Sequence, residues 1–181
     1  LDTYLKENNV QLLAIRGNHD NPAYWSSQVF QRENTYSNIE LVPDYTYKTI
    51  NGGSFLFVGG AISIDRVTRR ENYDWWRDEP FVLPINYTDF LPKCDVLITH
   101  TSPHESYPYD GFANIKGWLS LDPPLKNELI EERNKVSLLY NHVTPKALIY
   151  GHFHATSSEY VEGTWQRCLN INEIINLKNY V

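Results

Sequence analysis

Val10-Gln11-Leu12-Leu13-Ala14-Ile15-Arg16-Gly17-Asn18-His19-Asp20 is the stretch from which the rest of the chain is read. Its first half is short, apolar and partly β-branched, bounded by Asn8-Asn9 and Gly17, which is the pattern of a buried strand. Three polar side chains then follow the glycine, at the strand's carboxyl end, where open α/β sheets bind their ligands. Asn18 offers a neutral carboxamide oxygen, His19 an imidazole and Asp20 a carboxylate, so a metal ligand and a proton donor with an orienting partner fit into four positions. Asn-His-Asp is also good turn chemistry, and on the tetrapeptide alone both readings stand.

Two later segments repeat the theme. Leu97-Ile98-Thr99-His100 and Ile149-Tyr150-Gly151-His152-Phe153-His154 are each an apolar strand that ends in histidine. In an extended segment residues two apart project to one side, so His152 and His154 are expected to face one cleft while Phe153 packs away from it. His142, at the end of an amphipathic helix, is read instead as a structural histidine that complements the helix dipole.

The remaining pattern places an antiparallel pair beside parallel strands. Tyr45 to Ile50 and Ser54 to Val58 flank Asn51-Gly52, a strong hairpin signal because both central residues of a type I′ turn need positive φ. Gly59-Gly60 after the second strand permits close backbone approach. Tyr24 to Glu33 fits one helical face. Asp122-Pro123-Pro124 is expected to open a helix with Asp122 as N-cap, carrying Leu125, Leu129, Val136, Leu139, Tyr140 and Val143 on one face. Lys146 to Tyr150, Ser158 to Val161 and Trp165 to Asn172 read as further strands, and Thr101 to Trp118 as a loop over the site.

Residues 63–93 are irregular and rich in Trp, Arg, Asp and Pro. Such a connection is either a lid or a solvated excursion anchored by Trp75 and Trp76. As a lid, it would bring Arg66, Arg69 and Arg70 to a phosphate. His104 is either a substrate contact or a loop residue, and Tyr107, Tyr109 and Trp118 either stack on a base or cover the core.

A length of 181 residues with 41% hydrophobic and 14% aromatic residues fits one folded domain over 1–181. No apolar run is long enough to span a bilayer, no signal peptide is visible, and two distant cysteines suggest no disulfide framework. A cytoplasmic protein is the default expectation. The net charge of -6 argues against broad nonspecific nucleic-acid binding but leaves a nucleic-acid ester open as a substrate. The chain starts at Leu1 and contains no Met, so residues upstream are expected.

Gly17-Asn18-His19-Asp20, His100 and Gly151-His152-Phe153-His154, in this order, resemble the calcineurin-like metallophosphoesterases. Gly59-Gly60-Ala61-Ile62-Ser63-Ile64-Asp65, with Trp75-Trp76 and Asp78-Glu79-Pro80, resembles their bacterial and phage members. The resemblance implies an α/β fold, a four-layer α/β/β/α sandwich with mixed sheets, and hydrolysis of phosphate esters by two divalent ions, with Mn, Fe or Zn suited to the ligands. It further implies that Asn18, His100 and His152 bind one ion and His154 the other, and that His19 assists the leaving group with Asp20 orienting it. The family's Asp-x-His and Gly-Asp-x-x-Asp blocks precede Gly-Asn-His-Asp, and only sixteen residues do so here. The expectation is therefore an N-terminally incomplete domain whose partner is its own upstream segment, with weak metal binding and little turnover by itself. A scaffold that binds a protein partner and hydrolyses nothing is the alternative.

Overall fold

The computed structural model describes residues 1–26, 36–109 and 112–178. After helix α1 (Asp2–Glu7), strand β1 (Leu12–Ala14) pairs in parallel with β2 (Ile39–Leu41) to form a two-stranded sheet. The short helix α2 (Ala23–Ser26) lies between them in sequence. Most of the helix expected from Tyr24 to Glu33 falls outside the described residues.

A six-stranded mixed sheet forms the centre. It contains β3 (Thr46–Ile50), β4 (Gly53–Val58), β5 (Val96–Thr99), β6 (Ala147–Tyr150), β7 (Ser157–Val161) and β8 (Thr164–Cys168), in the order β3-β4-β5-β6-β8-β7. The inner four strands run parallel, and each edge strand is the antiparallel arm of a hairpin. The β3–β4 turn has Asn51 at φ 52° and Gly52 at φ 88°, as the Asn-Gly pair predicts. Glu162 and Gly163 repeat that geometry between β7 and β8, with φ of 50° and 89°.

Parallel strands buried on both faces need apolar residues at every position, and β6 is buried along its whole length. Alternation sorts the side chains between two cores. On one face Leu56, Val58, Leu97, Leu148 and Tyr150 pack against Val136, Leu139, Tyr140 and Val143 of helix α5 (Leu125–Val143). On the other, Phe55, Phe57, Val96 and Ile149 meet Val42, Leu13 and Ile15 from the β1–β2 unit. The architecture is mixed α/β: helix, six-stranded sheet and small parallel sheet in successive layers. No helix among the described residues is long and apolar enough to cross a membrane.

Three local readings change. Helix α5 starts at Leu125 with Pro124 as N-cap, because the Asp122 carboxylate binds Arg66 Nε at 2.5 Å instead of capping. The 101–118 connection is not loop throughout. It contains a 3-10 turn at Ala113–Ile115 and leads into helix α4 (Lys116–Leu121), because Trp118 and Leu119 have an apolar seat against Ile62, Leu125 and Leu129. The 63–93 excursion, which includes the short helix α3 (Tyr87–Phe90), is held by two acids that the pattern did not reveal. Buried Glu79 accepts from the backbone N–H groups of Ser63 and Trp76, and buried Glu132 of α5 from those of Ile62 and Phe81. Burial pushes the Glu132 carboxyl up to about 7 and raises that of Glu79 as well.

Candidate metal and catalytic site

β5 and β6 are neighbours in register, so their carboxyl ends deliver His100 and Gly151-His152-Phe153-His154 side by side. The end of β1 reaches the same place through Arg16. This side chain lies against Gly59-Gly60, donates to the carbonyls of Glu79 and Pro80, and pairs with Asp44 at 2.8 Å, while its own carbonyl accepts from Gly60 N–H at 3.0 Å. A Cβ on Gly59 would stand 2.5 Å from Arg16 Cγ, and one on Gly60 2.6 Å from the guanidinium nitrogens. The close approach expected of this glycine pair is therefore made by the residue that precedes Gly17.

Gly17 brings the next turn against His100, whose Cε1 would lie 3.1 Å from a Cβ there. Asn18 Nδ2 donates to Ser63 Oγ at 3.1 Å, which turns Asn18 Oδ1 toward His100 Nε2 at 3.0 Å. The His100 and His152 rings meet edge-on with centroids 5.2 Å apart. Asn18, His100 and His152 thus come together from three separate parts of the chain. His154 is more exposed and lines the same cavity of about 460 Å³ as Asn18, His19 and His152.

The backbone that presents the two histidines is not extended, contrary to the alternation argument. His152 and His154 have φ of 68° and 49°, and Phe153 N–H bonds back to Gly151 O at 2.8 Å. The polypeptide turns tightly as it leaves β6, and Phe153 is drawn beside Tyr150 and under the Arg133 guanidinium. Left-handed conformations at non-glycine residues cost on the order of 1–3 kcal/mol each and persist where the surroundings over-determine them, often at functional sites.

Burial sets the charge state of the inner histidines. It pushes His100 down to about 4, and it holds His152 well below the ordinary imidazole range, with further lowering from His100 and His154. Both are neutral near pH 7, the form with a free lone pair for a metal. Two neutral imidazoles and a carboxamide oxygen suit a borderline divalent ion such as Mn, Fe or Zn in donor chemistry. Among the described residues, however, no group of three or more His, Cys, Asp and Glu side chains is arranged to hold a metal ion. The donors present fit part of one coordination shell.

The neighbours of His19 differ from the expectation. Asp20 Oδ2 accepts from Gly17 N–H at 2.6 Å and so closes the turn, as Asp does in turns generally, and the groups that do face the His19 ring come from the 63–93 segment. Ser63 Oγ and the Asp74 carbonyl each lie 3.3 Å from Nδ1, and Asp65 Oδ1 lies 3.8 Å from Nε2. Asp65 Oδ1 is buried without a hydrogen-bond partner, whereas Oδ2 takes two bonds from Arg69 at 2.8 and 2.6 Å. Asp65 stands in the stretch that carried the resemblance, but nothing in its spacing marks it as a histidine partner.

Of the proposed substrate contacts, Arg69 lines the cavity. Arg66 does not, because its guanidinium is held away by Asp122 and Glu128. His104 is exposed and off the cavity lining, with its backbone N–H on Ser137 Oγ at 2.9 Å. His142 is structural: Nε2 meets Leu91 O at 2.8 Å and its ring packs edge-on to Tyr87.

Comparison with known proteins adds the following. The family model Metallophos, calcineurin-like phosphoesterase, matches residues 1–156. Five chains of solved structures are similar. One is the crystal structure of TT1561 of Thermus thermophilus, at 13% identity and a TM-score of 0.46, covering 93% of this chain and 67% of that one. No curated protein matches.

Proposed function

The chain belongs to the calcineurin-like phosphoesterases, and from that premise we propose that it hydrolyses phosphate esters at a divalent metal centre held by Asn18, His100 and His152, with His154 as a ligand of a second ion. The observation that carries the reading is the convergence of Asn18 with two neutral, half-buried imidazoles, His100 and His152, beside the cavity that Asn18, His152 and His19 line. Bound divalent ions supply positive charge to the phosphoryl oxygens and acidify water for attack. Mn, Fe and Zn fit the donors. The described donors for the second ion reduce to His154, so its affinity is expected to be the weaker of the two.

The chain's own residues do the rest. His19, about two-fifths exposed at the cavity, protonates the departing alkoxide, a contribution of about 10²- to 10⁴-fold in rate. Ser63 and Asp65 fix its ring, taking the role first assigned to Asp20, and Asp20 holds the turn that aims Asn18 and His19. Arg69 ties Asp65 in place and lines the cavity beside it. We read residues 1–181 as one domain in which 63–93 forms one cavity wall. The two free, buried cysteines agree with a cytoplasmic setting.

The test, made on the full-length protein, is hydrolysis of an aryl and an alkyl phosphate with and without Mn²⁺, with Mn²⁺ binding followed in parallel by electron paramagnetic resonance. Metal-dependent turnover that falls in H100A and H19A, with weakened Mn²⁺ binding only in H100A, is the expected result. Mn²⁺ binding without turnover of either ester would favour the non-catalytic scaffold.

A further inference from the structure

The cavity has two unlike ends. Asn18, His19, His152 and His154 occupy one, and beyond them the wall turns apolar and aromatic: Ile64, Phe112, Ile115, Trp118 and Leu129, with Phe153 at the boundary. A volume of about 460 Å³ is within the usual range for small-molecule sites. A folded phosphoprotein or a duplex does not enter such a space.

The charged groups on the wall are already engaged. Arg69 is bound to Asp65, and Arg133 donates to the carbonyl oxygens of Pro103, His104, Ser106 and Pro108. Lys126 stands 5.6 Å from the Phe112 ring centre but does not line the cavity. A body seated at the far end therefore meets mainly aromatic and aliphatic surface, and among the described lining residues both guanidiniums already donate within the protein. His19 belongs to the polar end and faces Ser63 and Asp65, which flank Ile64 of the apolar wall, so a leaving oxygen protonated there would turn its ring toward the apolar end.

We propose that the apolar end is a leaving-group subsite, and that the substrate is a small phosphate monoester whose hydroxyl-bearing half is an uncharged, planar ring compound, a nucleoside or an aryl alcohol. This rests on the phosphoesterase reading above. In the reaction the P–O bond to the ring-bearing group breaks, water supplies the new P–O bond, and the leaving oxygen takes its proton from His19. Phe112 and Trp118 are specificity residues for the ring. Stacking of one ring on an aromatic side chain is worth about 10- to 100-fold in affinity.

The experiment compares kcat/KM in Mn²⁺ for phenyl phosphate, a nucleoside 5′-monophosphate, glycerol phosphate and a phosphoserine peptide. The emission of Trp118 is titrated separately with free adenosine and with free phenol without metal, and Trp118→Phe identifies its share among the five tryptophans. A preference of about tenfold or more for either ring-bearing ester over glycerol phosphate, reduced in both Phe112→Ala and the milder Phe112→Leu, is expected, with saturable quenching by the matching ring. The two ring arms decide between nucleoside and aryl alcohol. Equal kcat/KM for all esters without quenching, or preference for the peptide, would overturn the subsite while leaving hydrolysis standing. Quenching with turnover of no ester would overturn the hydrolytic reading, and with it the ring's role as leaving group.

Discussion

Replacing Gly60 with alanine tests the notch that ties Arg16 to the sheet. Gly60 has φ of 90°, and its added Cβ would stand 2.6 Å from both terminal guanidinium nitrogens of Arg16 and 2.7 Å from Cζ. The guanidinium cannot simply swing aside, because it is buried and held by Asp44 and by the carbonyls of Glu79 and Pro80. The left-handed backbone costs about 1–2 kcal/mol for alanine, and disrupting hydrogen bonds of a charged group adds about 1.5–3 kcal/mol. Gly60→Ala should therefore destabilise by about 3–5 kcal/mol, or on the order of 10 °C in melting temperature for a chain of this size. Arg16→Ala alone should cost about 2–4 kcal/mol by leaving Asp44, a quarter exposed, with only Gly59 N–H and by freeing two carbonyls. Since the clash at Gly60 is with the side chain that Arg16→Ala removes, the double variant should fall short of the sum by at least 1 kcal/mol, within the usual coupling of about 0.5–3 kcal/mol for touching residues. Gly59 is the contrast: its Cβ would also meet the Arg16 carbonyl oxygen at 2.6 Å and nitrogen at 2.9 Å, so Arg16→Ala should rescue it far less. Urea unfolding of the five proteins and the wild type reads all of this. Additivity for the Gly60 pair within about 0.3 kcal/mol would refute the notch as the reason for this glycine.

Other perturbations separate the remaining roles. His19→Ala should slow alkyl phosphates by about 10²- to 10⁴-fold and nitrophenyl phosphate much less, since that leaving group departs without a proton; equal losses on both would remove His19 as the acid. Asp65→Asn should show the same leaving-group dependence in weaker form, with recovery in Asp65→Glu, whereas Asp20→Asn should affect both esters alike. For Glu132, raised from 4.5 to about 7 by burial, the folded state keeps a proton that the unfolded chain has lost between those values. Its stabilisation is thus full below pH 4.5 and is lost as pH rises through 7, by about 3 kcal/mol at 1.36 kcal/mol per pH unit. Glu132→Gln should flatten that slope, and an unchanged slope in urea unfolding between pH 4.5 and 8 would contradict it. Asn18→Ala and His152→Ala should each weaken Mn²⁺ binding measured by electron paramagnetic resonance, and His142→Ala should not.

What the sequence disclosed and what it concealed divide along a physical line. The parallel strands β5 and β6 were legible because strands buried on both faces admit little but apolar residues, and the Asn51-Gly52 turn because its backbone demands those types. Of the residues that converge, His100 and His152 could be picked because each follows such a strand, and Asn18 because an apolar run leads into it, although that run, β1, is half-exposed rather than buried. Hidden were features set by contacts distant in sequence. Asp20 looked like the partner of His19 because it is adjacent, but its carboxylate closes the turn on Gly17 N–H, and the carboxylate that faces the His19 ring is Asp65, 46 positions away. Arg66 looked free for phosphate until Asp122 and Glu128 came against it, and the left-handed histidines follow from packing of Phe153 that no periodicity encodes.

The interleaving of β4, β5 and β6 also bears on the order of events during folding. Asn18 and His152 are 134 positions apart, and between them the chain must lay down three parallel strands before either has its neighbours. Contacts of such high sequence separation close late and slowly. A nascent chain emerging from the ribosome therefore cannot assemble the metal pocket until β6 is out, so ion capture should mark completion of folding rather than nucleate it.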